Sequence, residues 1–294
     1  MFLKILLIII VVLIILYFLA IMPGMRKKPI SHELLKQNLY AHRGLHDNKS
    51  EAPENSMAAF KKAVEGGYGI ELDVQLTKDG VPVVFHDFTL ARVARYADGQ
   101  IPSDAVKNED GSIGVAGKVI DYTYDELQQF HLLESDEKIP RFEDFLKLVD
   151  GKVPLIVELK IERFDLSVCQ KAYDLLEKYN GAYCIESFNP LGVYWLKKNH
   201  SDIFRGQLSE EFFHEIDQVM HTPLYFLLAF LIFNFLTRPD FVAYNHKHAG
   251  NLSRTLCHSL YKNTAAAWTI KSQEELDRNR EKFDIFIFEG FIPA

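Results

Sequence analysis

The fold class that the sequence predicts is α/β, a (β/α)8 TIM barrel preceded by an N-terminal transmembrane helix. Three observations support this prediction. Eight short β-branched or aromatic runs alternate with helical patterns, as in a mostly parallel sheet. Beyond an apolar N-terminal run, about 270 residues remain, which is the size of one such barrel. Apolar residues make up 48% of the chain and charged residues 25%, so a sizeable core is possible.

The candidate strands and helices follow one another in the order that helical crossovers between parallel strands require. The eight strands are predicted at Leu39–Arg43, Gly69–Val74, Pro154–Lys160, Ala182–Phe188, Phe204–Leu208, Phe241–His246, Ala265–Ile270 and Asp284–Phe288. The helices are predicted at Ser56–Glu65, Phe142–Leu148, Leu166–Tyr179, Leu191–Lys197, Leu252–Tyr261 and Gln273–Lys282.

One further strand-like run, Val81–Phe85, follows Val74 too closely for a parallel crossover. It must therefore double back through a turn at Lys78-Asp79-Gly80, which brings His86 to about the level of Glu71. Residues 91 to 119 are rich in Gly and Asp and show no periodicity, so we expect a long loop near the barrel mouth.

The N-terminal run from Phe2 to Met22 is apolar except for Lys4 and is long enough to cross a bilayer. A signal peptide is the competing interpretation, but the small residues expected before a cleavage site are missing at Phe18-Leu19-Ala20. We therefore predict a single-pass anchor in the cell membrane at residues 1–25 and a barrel domain at residues 26–294. Three cations at positions 26–28 oppose Lys4 and the amino terminus, which slightly favours a cytoplasmic catalytic domain.

A second apolar stretch, residues 223–236, lies inside the barrel domain and is too short to span a membrane comfortably. It is either a buried helix of the domain or an interfacial helix that lies on the bilayer beside the anchor. The near absence of polar residues around its whole circumference favours the interfacial alternative, because an ordinary barrel helix is amphipathic.

The formal net charge of −7 gives no reason to expect a nucleic-acid partner, because binding to a phosphate backbone needs clustered Lys and Arg. The three cysteines, Cys169, Cys184 and Cys257, are far apart and lack the spacing of a zinc site or redox pair. We expect them to be buried structural thiols.

Two carboxylates, Glu71 and Asp73, stand two residues apart on a predicted strand and so face the same side, about 7 Å apart along the backbone. Adjacent carboxylates repel each other, and a hard divalent ion such as Mg²⁺ or Ca²⁺ would relieve this repulsion. Glu158 and Lys160 repeat the arrangement on another strand. The carboxylate of Glu158 is a third possible metal ligand at the same end of the barrel, and the ammonium of Lys160 there is suited to bind a phosphate.

Two histidines come at comparable positions. His42 and Arg43 end the first strand, and His86 follows the return arm of the hairpin. The C-terminal rim of a barrel is where catalytic groups gather, so we expect these side chains close to the carboxylates.

Five motifs, in this order and spacing, resemble the signature series of the glycerophosphodiester phosphodiesterase family. They are Ala41-His42-Arg43-Gly44, Pro53-Glu54-Asn55-Ser56, Glu71-Leu72-Asp73, Asp79-Gly80-Val81-Pro82-Val83-Val84-Phe85-His86-Asp87 and Glu158-Leu159-Lys160. The resemblance is dense from about Leu39 to Lys160 and thinner through Ser187-Phe188-Asn189 and Trp268-Thr269-Ile270.

The resemblance implies a barrel of the phospholipase C-like phosphodiesterase type that cleaves glycerophosphodiesters to glycerol 3-phosphate and an alcohol. In that family a divalent metal and two histidines perform the reaction. Carried over residue by residue, the resemblance implies that Glu71, Asp73 and Glu158 bind the metal. His42 and His86 are the acid and the base. Arg43 and Lys160 bind the phosphate oxygens. The nucleophile is metal-bound water or the glycerol hydroxyl of the substrate, and either histidine can be the acid.

Several alternatives stay open. Glu54-Asn55 is either catalytic or structural, and Trp268 either walls the glycerol pocket or belongs to the core. Lys271 and Glu289 stand where the family more often has Asn and Asp, so the resemblance does not define the substrate end of the pocket.

The activity also has rivals. A close variant would be a lysophospholipase D that uses residues 223–236 to help an acyl chain leave the bilayer. The others are a phosphatidylinositol-type phospholipase and a non-catalytic membrane protein that binds phosphorylated head groups.

Overall fold

The computed structural model describes residues 1–26, 31–36, 38–97, 101–212 and 223–294. Eight parallel strands form a closed barrel, because the first strand pairs with both the last and the second. These strands are β1 (Leu39–His42), β2 (Gly69–Leu76), β8 (Leu155–Leu159), β9 (Tyr183–Ser187), β10 (Arg205–Ser209), β11 (Phe241–Asn245), β12 (Thr264–Ile270) and β13 (Ile285–Phe288). The predicted TIM barrel is confirmed.

The predicted hairpin is also present. Strand β3 (Pro82–Val84) pairs antiparallel with β2, and Val74 lies opposite Val84. The turn between them contains Gly80 at a φ of 76°, a left-handed conformation that glycine adopts without strain. The return arm therefore carries His86 back along β2 past Val74, and the N–H of the adjacent Phe85 donates to the carbonyl of Asp73 at 3.0 Å.

All six predicted helices form, and their ends differ from the predictions by at most three residues. The helices between the barrel strands are α3 (Met57–Glu65), α5 (Phe142–Val149), α6 (Ser167–Leu176), α7 (Pro190–Asn199), α10 (Leu252–Ser259) and α11 (Gln273–Asn279). Ser56 caps α3, because its side chain accepts a hydrogen bond from the backbone N–H of Ala59.

The expectation of a long loop at residues 91–119 is only partly right, because the segment between β3 and α5 has structure of its own. It contains β4 (Ala94–Arg95), β5 (Val106–Lys107), β6 (Ile113–Gly114), α4 (Tyr124–Leu127) and β7 (His131–Leu132). Apolar side chains of this segment, among them Leu90, Val93 and Leu132, form a separate cluster with Val83 and Phe85. Long-range pairing between β4 and β7 organises the segment, and the local sequence has no periodicity that predicts this pairing.

The core has two main parts. One lies between the strands and the surrounding helices, and the other fills the barrel interior towards the N-terminal ends of the strands, which we call the base. Helix α2 (Ser31–Lys36) contributes the fully buried Leu35, whose carbonyl accepts a hydrogen bond from the hydroxyl of Tyr40 at 2.9 Å. The three cysteines are free and buried, as expected.

Helix α1 (Phe2–Ile21) has a mean hydropathy of 3.3 over its most apolar window, and none of that window is buried. Its length and composition fit a membrane anchor or a signal sequence. Of the cations on which the predicted sidedness rests, Lys27 and Lys28 lie outside the described residues.

The apolar stretch at 223–236 is not one helix, as either alternative assumed. It forms α8 (Pro223–Ala229) and α9 (Asn234–Thr237), separated by a turn in which Leu231 has a φ of 55°. Leu224, Phe226 and Phe235 each leave about half of their surface exposed, whereas Ala229 and Leu231 are buried. The stretch is therefore partly core and partly exposed.

Candidate active site

The candidate residues meet at the C-terminal ends of the strands, which we call the mouth. Asp73 on β2 lies beside Glu158 on β8, and Glu158 lies beside Glu186 on β9, so the strand register sets three carboxylates at one level. His42 at the end of β1 pairs in register with Glu71. Neighbouring parallel strands thus bring together residues from distant parts of the sequence.

Glu71, Asp73 and Glu158 each offer a carboxylate oxygen, and these oxygens lie within 4.8 Å of one another. All three residues are at least 95% buried. Asp73 Oδ1 is buried without a hydrogen-bond partner, although Lys160 Nζ lies 3.6 Å away. A cluster of buried oxygen donors with an unsatisfied oxygen fits a hard divalent cation such as Mg²⁺ or Ca²⁺.

The electrostatics of this cluster agree with that fit. Burial, together with the neighbouring Asp73 and Glu158 carboxylates, holds the pKa of Glu71 well above its usual range. Burial likewise raises the pKa of Glu158, although Lys160 opposes the shift. Burial would also raise the pKa of Asp73, but the positive charges of His86, Lys160 and Arg43 outweigh it and hold that pKa below its usual range. A bound cation would stabilise all three carboxylates in the ionised form.

Each of the two histidines has a carboxylate on its Nδ1. His42 Nδ1 lies 2.6 Å from Glu289 Oε2, and His86 Nδ1 lies 2.6 Å from Asp87 Oδ1. His42 Nε2 is 3.8 Å from Glu71 Oε2. Burial, followed by the charge of Arg43, lowers the pKa of His42 to about 4 despite the opposing effect of Glu289. A carboxylate on Nδ1 fixes the orientation of the ring and leaves Nε2 for other partners.

The two candidate phosphate-binding cations contact carboxylates in this structure. Lys160 Nζ lies 3.0 Å from Glu158 Oε1. Arg43 Nη1 donates to Glu54 Oε1 at 2.6 Å, and Arg43 Nε lies 3.7 Å from Asp73 Oδ2. Both cations are held within the carboxylate cluster, where they offset part of its charge.

The turn after β1 depends on glycine. Gly44 has a φ of 83°, and a Cβ at this position would lie 3.0 Å from atoms of Ala59 and Phe60. Only glycine combines this conformation with such a close approach to α3. The turn directs the backbone N–H of Arg43 to Glu71 Oε2 at 3.2 Å.

Glu54 and Asn55 have supporting contacts. Asn55 Nδ2 donates to Asp73 Oδ2 at 3.0 Å, and Glu54 accepts hydrogen bonds from Arg43, Arg92 and Asn48. These contacts favour the structural interpretation of the pair, in which they order the rim and orient Asp73.

A cavity of about 380 Å³ opens at this site, and both histidines, Glu71 and Glu158 line it. Its apolar wall consists of Phe188, Leu208, Trp268 and Ile287. The rings of Phe188 and Trp268 pack edge to face, with their centroids 5.6 Å apart. Trp268 thus stands in the pocket wall, and the cavity combines a charged side with an apolar side.

Sequence reasoning missed three groups. Glu186 is 1% exposed, and burial together with Glu158 and Asp73 raises its pKa well above the usual range. Arg92 binds Glu54 and Asp87. In the sequence, Glu289 stands out only as a departure from the family pattern, and nothing there marks it as the partner of His42. An acidic residue near the end of an apolar strand was an available signal for Glu186, but the other two contacts depend on the folded structure.

Comparisons with known proteins agree with this architecture. The model of the glycerophosphoryl diester phosphodiesterase family matches residues 42–205. A glycerophosphodiester phosphodiesterase of Caldanaerobacter subterraneus is 34% identical over 170 residues, which cover 56% of this chain and 63% of that protein. An uncharacterized Bacillus subtilis protein is 31% identical over 192 residues, covering 61% of this chain and 70% of that protein.

Solved structures share the fold. A Silicibacter pomeroyi protein described as a candidate glycerophosphoryl diester phosphodiesterase superposes with a TM-score of 0.65 at 18% identity, and the superposition covers 90% of this chain and 91% of that chain. An Oleispira antarctica phosphodiesterase in complex with sn-glycerol-3-phosphate superposes with a TM-score of 0.64 at 20% identity, and the superposition covers 88% of this chain and 94% of that chain.

Proposed function

Because this chain belongs to the glycerophosphoryl diester phosphodiesterase family, we propose that it hydrolyses glycerophosphodiesters to glycerol 3-phosphate and an alcohol. One observation carries the proposal: three buried carboxylates have oxygens within 4.8 Å of one another, and two of them, Glu71 and Glu158, line one cavity together with two oriented histidines. The reaction breaks one P–O bond, and the oxygen of the nucleophile forms a new bond to phosphorus.

The carboxylates Glu71, Asp73 and Glu158 would hold a divalent metal ion, Mg²⁺ or Ca²⁺. Such an ion, when bound, neutralises phosphate charge and stabilises the additional negative charge of the transition state. Asn55 keeps Asp73 oriented through its 3.0 Å hydrogen bond. Supporting contacts of this kind limit how far a ligand can move.

His42 and His86 would act as the acid and the base. The departing alkoxide is strongly basic, so a protonated imidazole must donate to it, while the other imidazole accepts a proton from the nucleophile. Glu289 and Asp87 accept hydrogen bonds from the two Nδ1 atoms and so keep each Nε2 for this exchange. The nucleophile is water or the glycerol hydroxyl of the substrate, and the assignment of acid and base is open.

Arg43 and Lys160 would bind the phosphate oxygens. Both are mostly buried beside carboxylates. Arg43 lines the cavity, and Lys160 Nζ lies 3.0 Å from Glu158, which also lines it, so a phosphate that enters would meet one oriented cation directly and have a second beside the cavity wall. Charge-assisted hydrogen bonds are strongest in such surroundings. Trp268, in the cavity wall, would contact the glycerol or alcohol part of the substrate.

The apolar helix α1 would be an uncleaved anchor in the cell membrane, with the catalytic domain on the cytoplasmic side. It would place the enzyme beside the lipids from which its substrates come. A lysophospholipid is a second candidate substrate, and the observation that favours it is the exposed apolar surface of α8. The net charge of −7 still predicts no nucleic-acid partner.

The test is glycerol 3-phosphate release from glycerophosphocholine by the full chain in detergent, with and without EDTA. We expect EDTA to abolish activity, Mg²⁺ or Ca²⁺ to restore it, and His42→Ala to lower kcat roughly a hundredfold or more. His258→Ala is the matched control, because His258 faces Asp284 near the base. Activity that survives both chelation and His42→Ala would contradict the mechanism, and a wholly inactive chain would favour a binding protein without catalysis.

A further inference from the structure

The C-terminal turn of α1 is fixed to the side of the barrel. The hydroxyl of Tyr17 lies 2.7 Å from Ser253 Oγ on α10, and the carbonyl of Ile21 accepts a hydrogen bond from Asn234 on α9 at 2.9 Å. The first sixteen residues are exposed, and burial begins at Tyr17. The helix is thus attached at one end, and the rest of it projects away from the domain.

The direction of this projection follows from α10. Barrel helices run from the mouth back to the base, and Asn251 at the start of α10 donates to Glu211, just beyond the C-terminal end of β10. Tyr17 contacts α10 at Ser253, and Ile21 contacts it one turn later at Cys257. Helix α1 therefore runs parallel to α10, from the mouth towards the base.

The chain after α1 continues in the same direction. Gly24 donates its N–H to the carbonyl of Pro239 at 2.8 Å, and Arg26 Nε binds Asp240 Oδ1 at 2.8 Å, at the N-terminal end of β11. Residues 2–16, which form about 22 Å of helix at 1.5 Å per residue, therefore lie past the mouth end of α10. The part of α1 that fits a membrane lies on the side to which the active site opens.

The rim of the mouth carries several exposed apolar side chains. Five large apolar side chains that are at least half exposed lie in segments that follow the C-terminal ends of four different barrel strands. They are Phe164, Leu224, Phe226, Leu252 and Ile292. Leu252 immediately precedes Ser253, where α1 contacts the barrel. Exposed apolar side chains beside an apolar helix are typical of a surface that rests in the lipid interface.

A row of aromatic rings connects this rim with the active-site cavity. Trp268 packs on Phe188 in the cavity wall, and Phe188 packs on Phe212 with ring centroids 6.2 Å apart. Phe212 in turn packs on Tyr225 of α8 at 5.6 Å. The neighbouring Phe226 is half exposed at the rim. The row therefore leads from the reacting groups to the exposed face of α8.

We propose that the barrel docks with its mouth against the bilayer that α1 enters, and that α8 and Leu252 lie in the lipid interface. An acyl-chain-bearing phosphodiester in that leaflet then reaches the cavity along the aromatic row, an extension that rests on the proposed hydrolase function. Burial of apolar rim residues drives the docking, because a net charge of −7 gives no overall attraction to anionic lipids.

The orientation is tested with the full chain in phosphatidylcholine vesicles. A fluorophore is attached at Phe226→Cys on the rim or, as the matched control, at Glu281→Cys near the base; the native cysteines are buried. Lipids with a nitroxide on the acyl chain quench fluorophores that enter the bilayer. We expect strong quenching at position 226 and little at 281. Equal quenching, or stronger quenching at 281, would overturn the docking.

The substrate route is tested with Phe226→Ser and its matched control Leu260→Ser, which replaces a comparably exposed residue near the base. We expect Phe226→Ser to lower the rate on lysophosphatidylcholine in vesicles by at least about fivefold, with kcat/KM on soluble glycerophosphocholine unchanged. Leu260→Ser should alter neither rate. An unchanged lysolipid rate in Phe226→Ser would overturn the route. A parent chain inactive on both substrates would instead refute the hydrolase function, and the quenching result would still decide the docking.

Discussion

The two halves of the barrel differ in the end to which their buried carboxylates point and in whether cations compensate them. In the half from β1 to β9, buried carboxylates such as Glu71 and Glu158 point to the mouth and outnumber the nearby cations. In the half from β10 to β13, the buried Asp240 points to the base and is paired with Arg26 and Arg205. Uncompensated buried charge is costly, so it marks a ligand site, whereas compensated charge marks a structural contact.

The family match follows the same division. It covers residues 42–205, which run from the last residue of β1 through β2, β8 and β9 to the first residue of β10. The second half supplies three of the four apolar residues of the cavity wall, Leu208, Trp268 and Ile287, and the contacts to α1. Hard cations and phosphate need particular donors at particular distances, but an apolar wall can be built from many residue types. The chemistry therefore leaves a stronger sequence signature than the surroundings do.

The largest effect is expected in the first half. Glu158→Gln removes a candidate metal ligand, so we expect kcat/KM to fall by about a thousandfold at fixed cation concentration. In EDTA, the thermal midpoint should be unchanged or higher, because burial already raises the pKa of Glu158 and a neutral amide has no ionic charge to desolvate. Kinetics and thermal unfolding, with the exposed Glu65→Gln as control, check both. Activity within threefold of the parent would remove Glu158 from the metal site.

In the second half we expect a smaller effect, and one on stability instead of activity. Asp240→Asn leaves the Arg26 and Arg205 guanidinium groups beside a neutral side chain, which should lower the free energy of unfolding by roughly 3 kcal/mol. The kcat of the folded protein should stay unchanged. Denaturant unfolding in detergent measures the loss, and Asp277→Asn, in an exposed ion pair, is the matched control. A fall in kcat with unchanged stability would contradict the division between the halves.

The smallest effect concerns the contact that joins the halves. Glu289 follows β13 and accepts a hydrogen bond from His42 Nδ1, which lowers the pKa of Glu289 to about 2. We expect Glu289→Gln to reduce kcat about tenfold to fiftyfold with little change in KM, because the imidazole loses its orientation. Asp87→Asn is the matched variant on His86, and Glu289→Asp should restore part of the rate. If steady-state kinetics show the same kcat for Glu289→Gln and the parent, Glu289 does not orient His42, and the second half only shapes the pocket.

Much of the fold could be predicted because its signals are local. All eight barrel strands form within two residues of their predicted ends, and the hairpin follows from the short spacing between Val74 and Val81. The segment between β3 and α5 could not be predicted, because pairing between β4 and β7 and a separate apolar cluster organise it. The break between α8 and α9 was missed because a uniformly apolar stretch gives no sign of where a helix ends.

By itself, the sequence determined that Glu71 and Asp73 share a strand face, since side chains alternate with a period of two, and that the strand after Val74 doubles back, since the spacing is too short for a parallel crossover. Only the tertiary structure decided that Glu289 meets His42 across 247 positions, that Glu186 joins the carboxylates, and that α1 leaves the barrel on the mouth side. These contacts depend on barrel closure and helix packing, which bring together residues whose local sequence carries no information about their partners.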